Sequence, residues 1–460
     1  MDTETIAAIS TPLGEGGIGI VRISGTGAFK IAQKIFVTKA SHNPDYPRSR
    51  YLYHGHILDE HNEVIDEVLL SYMKAPHTFT REDTVEINCH SGVLTLRLVL
   101  KRVIREGARM AEPGEFTRRA FLNGRIDLSQ AEGILHVIRA RSEKGVMLAA
   151  QNLLGHLYQK TTSVRELIAA TLAKIEVLLD FPEEIAPESN YYDEIKAELA
   201  AIESALQQMV AGAERSRIYQ KGMEAAIIGK PNVGKSSLLN ALLRQQRAIV
   251  HEVPGTTRDL LEGYLLVGGY PLCLIDTAGI HRTGDPVEKA GIARTRAAAS
   301  DACMLLVILD GSRSWSDADE TVIAMAATGQ KMILVVNKSD LEQKLDLDVI
   351  QKRFPKTKIV KTAAINSEGI DKLEEAIIEL LDQSGTEQSE PPHLMTMRHE
   401  MVVSEARQNV ESAASALQSQ PLEMVSLELR DARLKLGEIT GEAIDDAVLD
   451  RIFREFCLGK

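Results

Sequence analysis

The amino-acid sequence predicts a multidomain protein: an α+β N-terminal domain, then an all-α domain interrupted by an inserted α/β domain. Three observations carry this. Short strand-like runs separated by turn residues fill the chain up to about residue 107. Long stretches with helical apolar spacing follow, and they resume near the end of the sequence. Between them stands Gly229-Lys230-Pro231-Asn232-Val233-Gly234-Lys235-Ser236, a match to G-x-x-x-x-G-K-[ST].

In order, spans 6–9, 19–23, 51–58, 64–73 and 84–88 read as strands, and 93–105 as a helix with a basic end. The glycine-rich run from Pro12 to Gly19 reads as a tight hairpin. Helices are expected at 131–154, 158–179 and 193–217, with breaks at Phe181-Pro182 and Ala186-Pro187. Strands and helices then alternate from 223 to about 381, as a parallel α/β domain requires. A polar stretch ending in Pro391-Pro392 reads as a linker, and helices resume at 398–417, 422–436 and 441–456. The expected domains are therefore 1–120, a helical domain in two parts (121–217 and 385–460), and an inserted domain at 218–384.

The inserted domain reads as a Ras-like P-loop G domain. A glycine turn between a buried strand and a helix N-terminus presents backbone N–H groups to phosphates, with Asn232, Val233, Gly234, Lys235, Ser236 and Ser237 lining it. Lys235 reaches the β/γ-phosphates, and the Ser236 hydroxyl binds Mg²⁺. Gly255-Thr256-Thr257-Arg258-Asp259 suits a first switch in which Thr257 completes the Mg²⁺ shell. A strand ends in Asp276-Thr277-Ala278-Gly279, where Asp276 holds the metal through water and Gly279 senses the γ-phosphate. Another strand delivers Asn337-Lys338-Ser339-Asp340. The two carboxylate oxygens of Asp340 suit the paired N–H donors of guanine, which adenine lacks. Thr362-Ala363-Ala364 would bring an amide to the guanine carbonyl, although it departs from the usual Ser-Ala-Lys. GTP is the nucleotide. Ile280 stands where Ras-like GTPases keep a water-orienting Gln, and the first switch loop offers no arginine finger.

The 460 residues carry a net charge of −12, which argues against a generally sticky nucleic-acid binder. Cys89, Cys273, Cys303 and Cys457 are far apart and form no C-x-x-C pair, as in a reduced cytoplasmic protein. The start is acidic, unlike a signal peptide, and no apolar run is long enough to span a membrane. Direct RNA contact would use the basic stretch Arg118, Arg119, Arg125, Arg139, Arg141 and Lys144.

The sequence resembles the MnmE (TrmE) family of tRNA modification GTPases over essentially its whole length. The carriers are Thr11-Pro12 with the Gly-Gly-Ile-Gly-Ile-Val-Arg run, Pro113-Gly114-Glu115-Phe116-Thr117, Arg119-Ala120-Phe121-Leu122-Asn123-Gly124, the G-domain elements and the final Cys457-Leu458-Gly459-Lys460. The resemblance implies an N-terminal folate-binding and dimerising domain, a central helical domain and the inserted G domain. It implies a homodimer that works with the flavoprotein MnmG, in a heterotetramer, on C5 of uridine 34 in certain tRNAs, taking one carbon from a tetrahydrofolate. Arg22, Glu86, Arg125 and Lys460 match the folate site. GTP hydrolysis would be stimulated by K⁺ held by Asn232 and the 251–256 loop (His251, Glu252, Val253, Pro254, Gly255, Thr256), of which His251, Val253 and Thr256 supply oxygens. Glu288 matches the water-orienting glutamate, and Cys457 is a candidate nucleophile toward uridine C6. A ribosome-assembly GTPase of the Era type, the rival reading, calls for an RNA-binding KH module with a G-x-x-G loop, and the C-terminal part offers acidic helices instead.

Overall fold

The computed structural model describes residues 4–39, 47–181, 191–245, 262–276, 302–324, 331–382 and 395–460. No helix among them is long and apolar enough to cross a membrane.

The N-terminal domain is built from β1 (Ile6–Ile9), β2 (Gly16–Ser24), α1 (Ala28–Ile35), β3 (Phe36–Val37), β4 (Leu52–Leu58), β5 (Val64–Met73), β6 (Thr84–Ser91), α2 (Val93–Arg105), β7 (Arg109–Met110) and α3 (Glu115–Leu122). Its seven-stranded sheet runs β3-β4-β5-β6-β2-β1-β7. Alternation sends Val68, Leu70 and Tyr72 of β5 inward, against Ile31 and Ile35 of α1 and Leu96 and Val99 of α2. β2 and β6 pair antiparallel with Arg22 opposite Glu86, so the register itself brings these two charges together.

The helical part comprises α4 (Leu128–Arg139), α5 (Glu143–Leu153), α6 (His156–Asp180) and α7 (Tyr191–Lys221) before the inserted domain, then α12 (Met397–Ser419), α13 (Leu422–Thr440) and α14 (Asp446–Arg454) after it. On α6, Leu157, Thr161, Val164, Ile168, Leu172, Ile175 and Leu178 form a buried stripe at three- and four-residue spacing, and α13 answers with Val425, Leu429, Ala432, Leu436 and Ile439. Helices from both sides of the insertion thus pack on each other.

Two expectations are corrected. The single helix at 131–154 is two, because the Ser142 hydroxyl accepts from the Gly145 N–H at 3.0 Å and starts α5 afresh. The last helix begins at Asp446 rather than 441: Gly441 takes a left-handed φ of 89° and closes α13, and the Asp445 carboxylate caps α14 by accepting from the Ala447 N–H.

The inserted domain contains β8 (Met223–Gly229), α8 (Lys235–Gln245), β9 (Glu262–Val267), β10 (Tyr270–Asp276), β11 (Met304–Asp310), α9 (Asp317–Ile323), β12 (Lys331–Asn337), α10 (Leu347–Arg353), β13 (Lys358–Lys361) and α11 (Ile370–Asp382). The six-stranded sheet runs β13-β12-β11-β8-β10-β9, parallel except for the β9–β10 hairpin. Every residue of β11 is buried, and apolar clusters cover both sheet faces, which is why these strands read as unbroken apolar runs. The chain groups into two compact units, Met1–Leu135 with Asn152–Leu206 and Met401–Lys460, and His136–Gln151 with Gln207–Glu400.

In the first unit a buried ion network fixes α3. Glu115 accepts from Arg109 (2.7 Å), Arg119 (2.8 Å) and the Glu112 N–H (2.8 Å), while Arg119 also reaches Glu82 at 3.1 Å and the Glu4 carbonyl at 2.9 Å. Burial alone would raise the Glu115 carboxyl, but the hydrogen bonds from Arg109, the Glu112 amide and Arg119 outweigh it and hold it below its ordinary value. A carboxylate depressed on folding stabilises the fold above its unfolded value and loses that contribution as pH falls through the folded one. Glu115→Gln is therefore expected to cost about 3 kcal/mol at pH 7, with the deficit shrinking once pH drops below the unfolded glutamate value of about 4.3. Amide hydrogen exchange across α3 measures it; equal protection in variant and wild type at pH 7 would remove the network from the account.

Candidate functional site

The P-loop leaves β8 at Gly229 and enters α8 at Lys235, beyond the carboxyl end of a strand flanked by β11 and β10. Parallel sheets offer their ligand crevice there. Lys235 Nζ donates to the carbonyl oxygens of Gly229 (3.0 Å) and Lys230 (2.8 Å), so the loop closes around its own lysine. Lys230 is pinned in turn, its Nζ lying 2.6 Å from Asp319 Oδ2 at the start of α9. Asn232 adopts φ 65°, and its exposed side chain makes no hydrogen bond among the described residues. Ser236 and Ser237 are exposed at the first turn of α8.

Asn337, 3 % exposed at the end of β12, joins this loop to the base-recognition loop. Its Nδ2 donates to the Val233 carbonyl at 2.9 Å, and its Oδ1 accepts from Thr362 Oγ1 at 3.2 Å and the Ala364 N–H at 3.0 Å. Gly234 passes this side chain at φ 100°, where a Cβ would overlap the Asn337 amide nitrogen. Lys338 Nζ donates to buried Asp310 at 2.7 Å. Burial pushes the Asp310 carboxyl up, but hydrogen bonds from Lys338 and Ser312 outweigh it and hold it below the usual range. Asp340 is exposed, free to meet a base. The Ala363 N–H donates to the Glu368 carbonyl at 3.0 Å, and the Ala364 N–H is already held by Asn337. Asp276 ends β10, directly beside Ile227 of the P-loop strand. His251, Glu252, Val253, Pro254, Gly255, Thr256, Thr257, Thr277, Ala278, Gly279 and Glu288 lie outside the described residues.

A second constellation forms on the N-terminal domain. Arg22 Nε donates to Glu86 Oε1 at 2.8 Å, and its guanidinium lies 5.7 Å from the centre of the Phe116 ring. Phe116 shares a buried cluster with Ile6, Ala8, Ala111 and Phe79. Arg125 in turn stacks over Phe79 at 5.0 Å. The Phe116 N–H donates to the Lys460 carbonyl at 3.2 Å, and Ser10 Oγ donates to the Gly459 carbonyl at 3.0 Å. Gly459 has φ 88° and lies so close to the Ile9 carbonyl that a Cβ would overlap it. Arg22, Glu86, Arg125 and Lys460 are thus gathered around two phenylalanines that sequence reasoning missed. Phe116 lies within the Pro113–Thr117 motif, and nothing in the spacing links it to Phe79. The set fits an anionic, planar ligand: guanidinium groups for carboxylates, a carboxylate for an N–H edge, and aromatic rings below.

Cys457 is exposed beside this cluster, with its carbonyl accepting from the Gly114 N–H at 3.5 Å. Cys89, by contrast, is buried, which together with Asp66 pushes its thiol up to about 12 and keeps it unreactive. The expected basic RNA stretch does not survive as a unit. Arg119 is buried in the Glu115 network, Arg118 pairs with Asp450 at 3.1 Å, and Lys144 lies over the Tyr270 ring at 5.1 Å.

The family described as the GTP-binding protein TrmE N-terminus matches residues 5–125, and that described as the MnmE helical domain matches residues 128–457. The tRNA modification GTPase MnmE of Alkaliphilus oremlandii is 43% identical over 459 residues, 99% of this chain and 99% of that protein. The protein of the same name from Bacillus subtilis is 41% identical over 459 residues, 99% of this chain and all of that protein. Among solved structures, the G domain of the T. maritima FeoB iron transporter is 30% identical, covering 34% of this chain and 98% of that one with a TM-score of 0.28. With family matches on both sides of residue 126 and relatives similar from end to end, the chain belongs to the MnmE (TrmE) family.

Proposed function

We propose that this chain is a K⁺-stimulated GTPase that, with the flavoprotein MnmG, adds an aminomethyl or carboxymethylaminomethyl group to C5 of the wobble uridine, position 34, of certain tRNAs. Its relatives carry the name tRNA modification GTPase, and GTP hydrolysis in tRNA modification follows from membership of their family. What supports the nucleotide reading most is Asn337, whose single amide ties the P-loop at Val233 to the loop at Ala364. Lys235 then turns from its own loop carbonyls toward the β/γ-phosphates. Asp340 takes the guanine N–H pair, and Ser236 with Thr257 would hold Mg²⁺.

Glu288 orients the attacking water, since Ile280 cannot. A K⁺ ion at the Asn232 side chain and the carbonyls of His251, Val253 and Thr256 would supply the positive charge that an arginine finger gives elsewhere. On the N-terminal domain, Arg22, Arg125 and Lys460 hold the carboxylates of a tetrahydrofolate and Glu86 its N–H edge. The folate supplies the one-carbon unit. In this reading the Cys457 thiolate would add to uridine C6, C5 would then bond to the one-carbon unit, and loss of the C5 proton would expel the thiolate. The protein acts as a homodimer in the cytoplasm.

The cation reading is tested by GTP turnover in K⁺, Na⁺ and a large organic cation at matched ionic strength. An arginine finger contributes about a thousandfold or more, and K⁺ is expected to recover part of it, about tenfold or more over Na⁺. Asn232→Ala loses the K⁺ dependence, and Glu288→Ala hydrolyses poorly in every salt. Equal turnover of wild type in all three salts would return the search to an arginine from a partner.

For the folate reading, calorimetry compares the full chain with one lacking Leu458-Gly459-Lys460. Truncation is expected to weaken folate binding tenfold or more, because it removes both the Lys460 side chain and the strap that Ser10 and Phe116 hold. Unchanged affinity would exclude Lys460 as a ligand.

A further inference from the structure

Arg119 is buried, and the helical part carries further arginines outside that basic stretch. A cavity of about 470 Å³ opens between α6 and α13. That lies within the range of about 300 to 1,000 Å³ typical of small-ligand sites. Ala169 and Ala173, one turn apart on α6, leave its floor open, and Leu172 and Leu434 complete an apolar surface. Leu434 is 61 % exposed.

The charged rim is mostly cationic: Arg430 and Arg433 come from one face of α13, and Arg165 and Glu176 from α6. The three arginines are committed to different degrees. Arg165 is anchored by two hydrogen bonds to Glu442, at 2.6 and 2.7 Å, and its Nε is a buried donor without an acceptor. Arg430 meets Glu176 at 2.8 Å in a pair exposed on both sides (60 % and 50 %), which contributes little and exchanges readily. Arg433 forms no hydrogen bond or ion pair among the described residues, although it stands near enough to Glu442 to help hold that carboxyl low, after the larger effect of Arg165.

We propose that this groove binds the sugar–phosphate backbone of the tRNA, with Arg430 and Arg433 on phosphate oxygens and the alanine–leucine floor against a ribose or base. The inference rests on the tRNA-modifying function proposed above. Charge favours RNA over a protein segment, because arginines line the groove from both helices. Guanidinium groups match phosphate in bidentate geometry, and their contacts are independent of base sequence. The groove therefore orients the tRNA rather than selecting it.

The test is binding of an in-vitro transcribed tRNA carrying uridine 34 to the full-length chain, across about 50 to 200 mM KCl. Arg430→Ala/Arg433→Ala is expected to bind about tenfold more weakly at the middle of that range, with the log–log salt slope reduced by about one to two. Arg433→Lys keeps the slope. Ala173→Leu narrows the floor and weakens binding without changing the slope, and Arg407→Ala on α12, outside the groove, changes neither. Circular dichroism checks that each variant is folded. Wild type that binds no tRNA removes the functional reading and the groove with it. Wild type that binds, with the double variant matching it in affinity and slope, overturns the groove alone. Unchanged tRNA binding with lost capture of purified MnmG assigns the groove to a protein partner and likewise overturns the proposal.

Discussion

The structure of the first compact unit depends on how the last residues of the sequence are fastened to the first. Ser10 and Phe116 hold the carbonyls of Gly459 and Lys460, and only a residue without a Cβ lets that strap pass the Ile9 carbonyl. Behind it, Phe453 and Phe456 pack with Phe121, Leu128 and Leu135, so α14 is welded to the start of the helical part. Once both ends of the chain are fixed in one unit, α6 and α13 meet along their apolar stripes, and everything between α7 and α12 can be a separate folding unit. An insertion is tolerated because its host is closed by contacts that do not involve it.

The same closure explains why the candidate folate residues meet. Arg22 and Glu86 are brought together by strand register, Arg125 by the turn after α3, and Lys460 by the strap. Phe79 and Phe116 lie beneath them in one buried cluster. The Glu115 network keeps α3, and therefore Phe116, in place. A ligand bound here would rest on parts of the chain that fold together only when the first and last elements are both present.

The G domain was legible in the sequence because its chemistry demands particular residues at loop positions and its strands are buried on both faces. β5 and α2 were legible for a different reason: clean two- and 3.6-residue periodicity placed their bounds at Val64–Met73 and Val93–Arg105. The failures were local or long-range. Ser142 divides an apolar pattern that otherwise continues, and a hydroxyl cap leaves no trace in hydrophobicity. Arg119 looked like part of a basic face, but which arginine of an adjacent pair is buried depends on acids at positions 82 and 115. The Phe79–Phe116 platform and the α6–α13 groove join residues far apart in sequence, and no single segment announces either of them.

The central claim is that a GTP site in one unit and a one-carbon site in the other serve one reaction on tRNA. It is tested most directly by mass spectrometry of wobble nucleosides from a strain lacking its own copy of this enzyme and supplied with wild type, Lys235→Ala or Arg22→Ala. The account predicts the C5-modified uridine with wild type, and its loss with either variant, although each change touches only one site. Full modification with Lys235→Ala would separate GTP turnover from the chemistry and contradict the account.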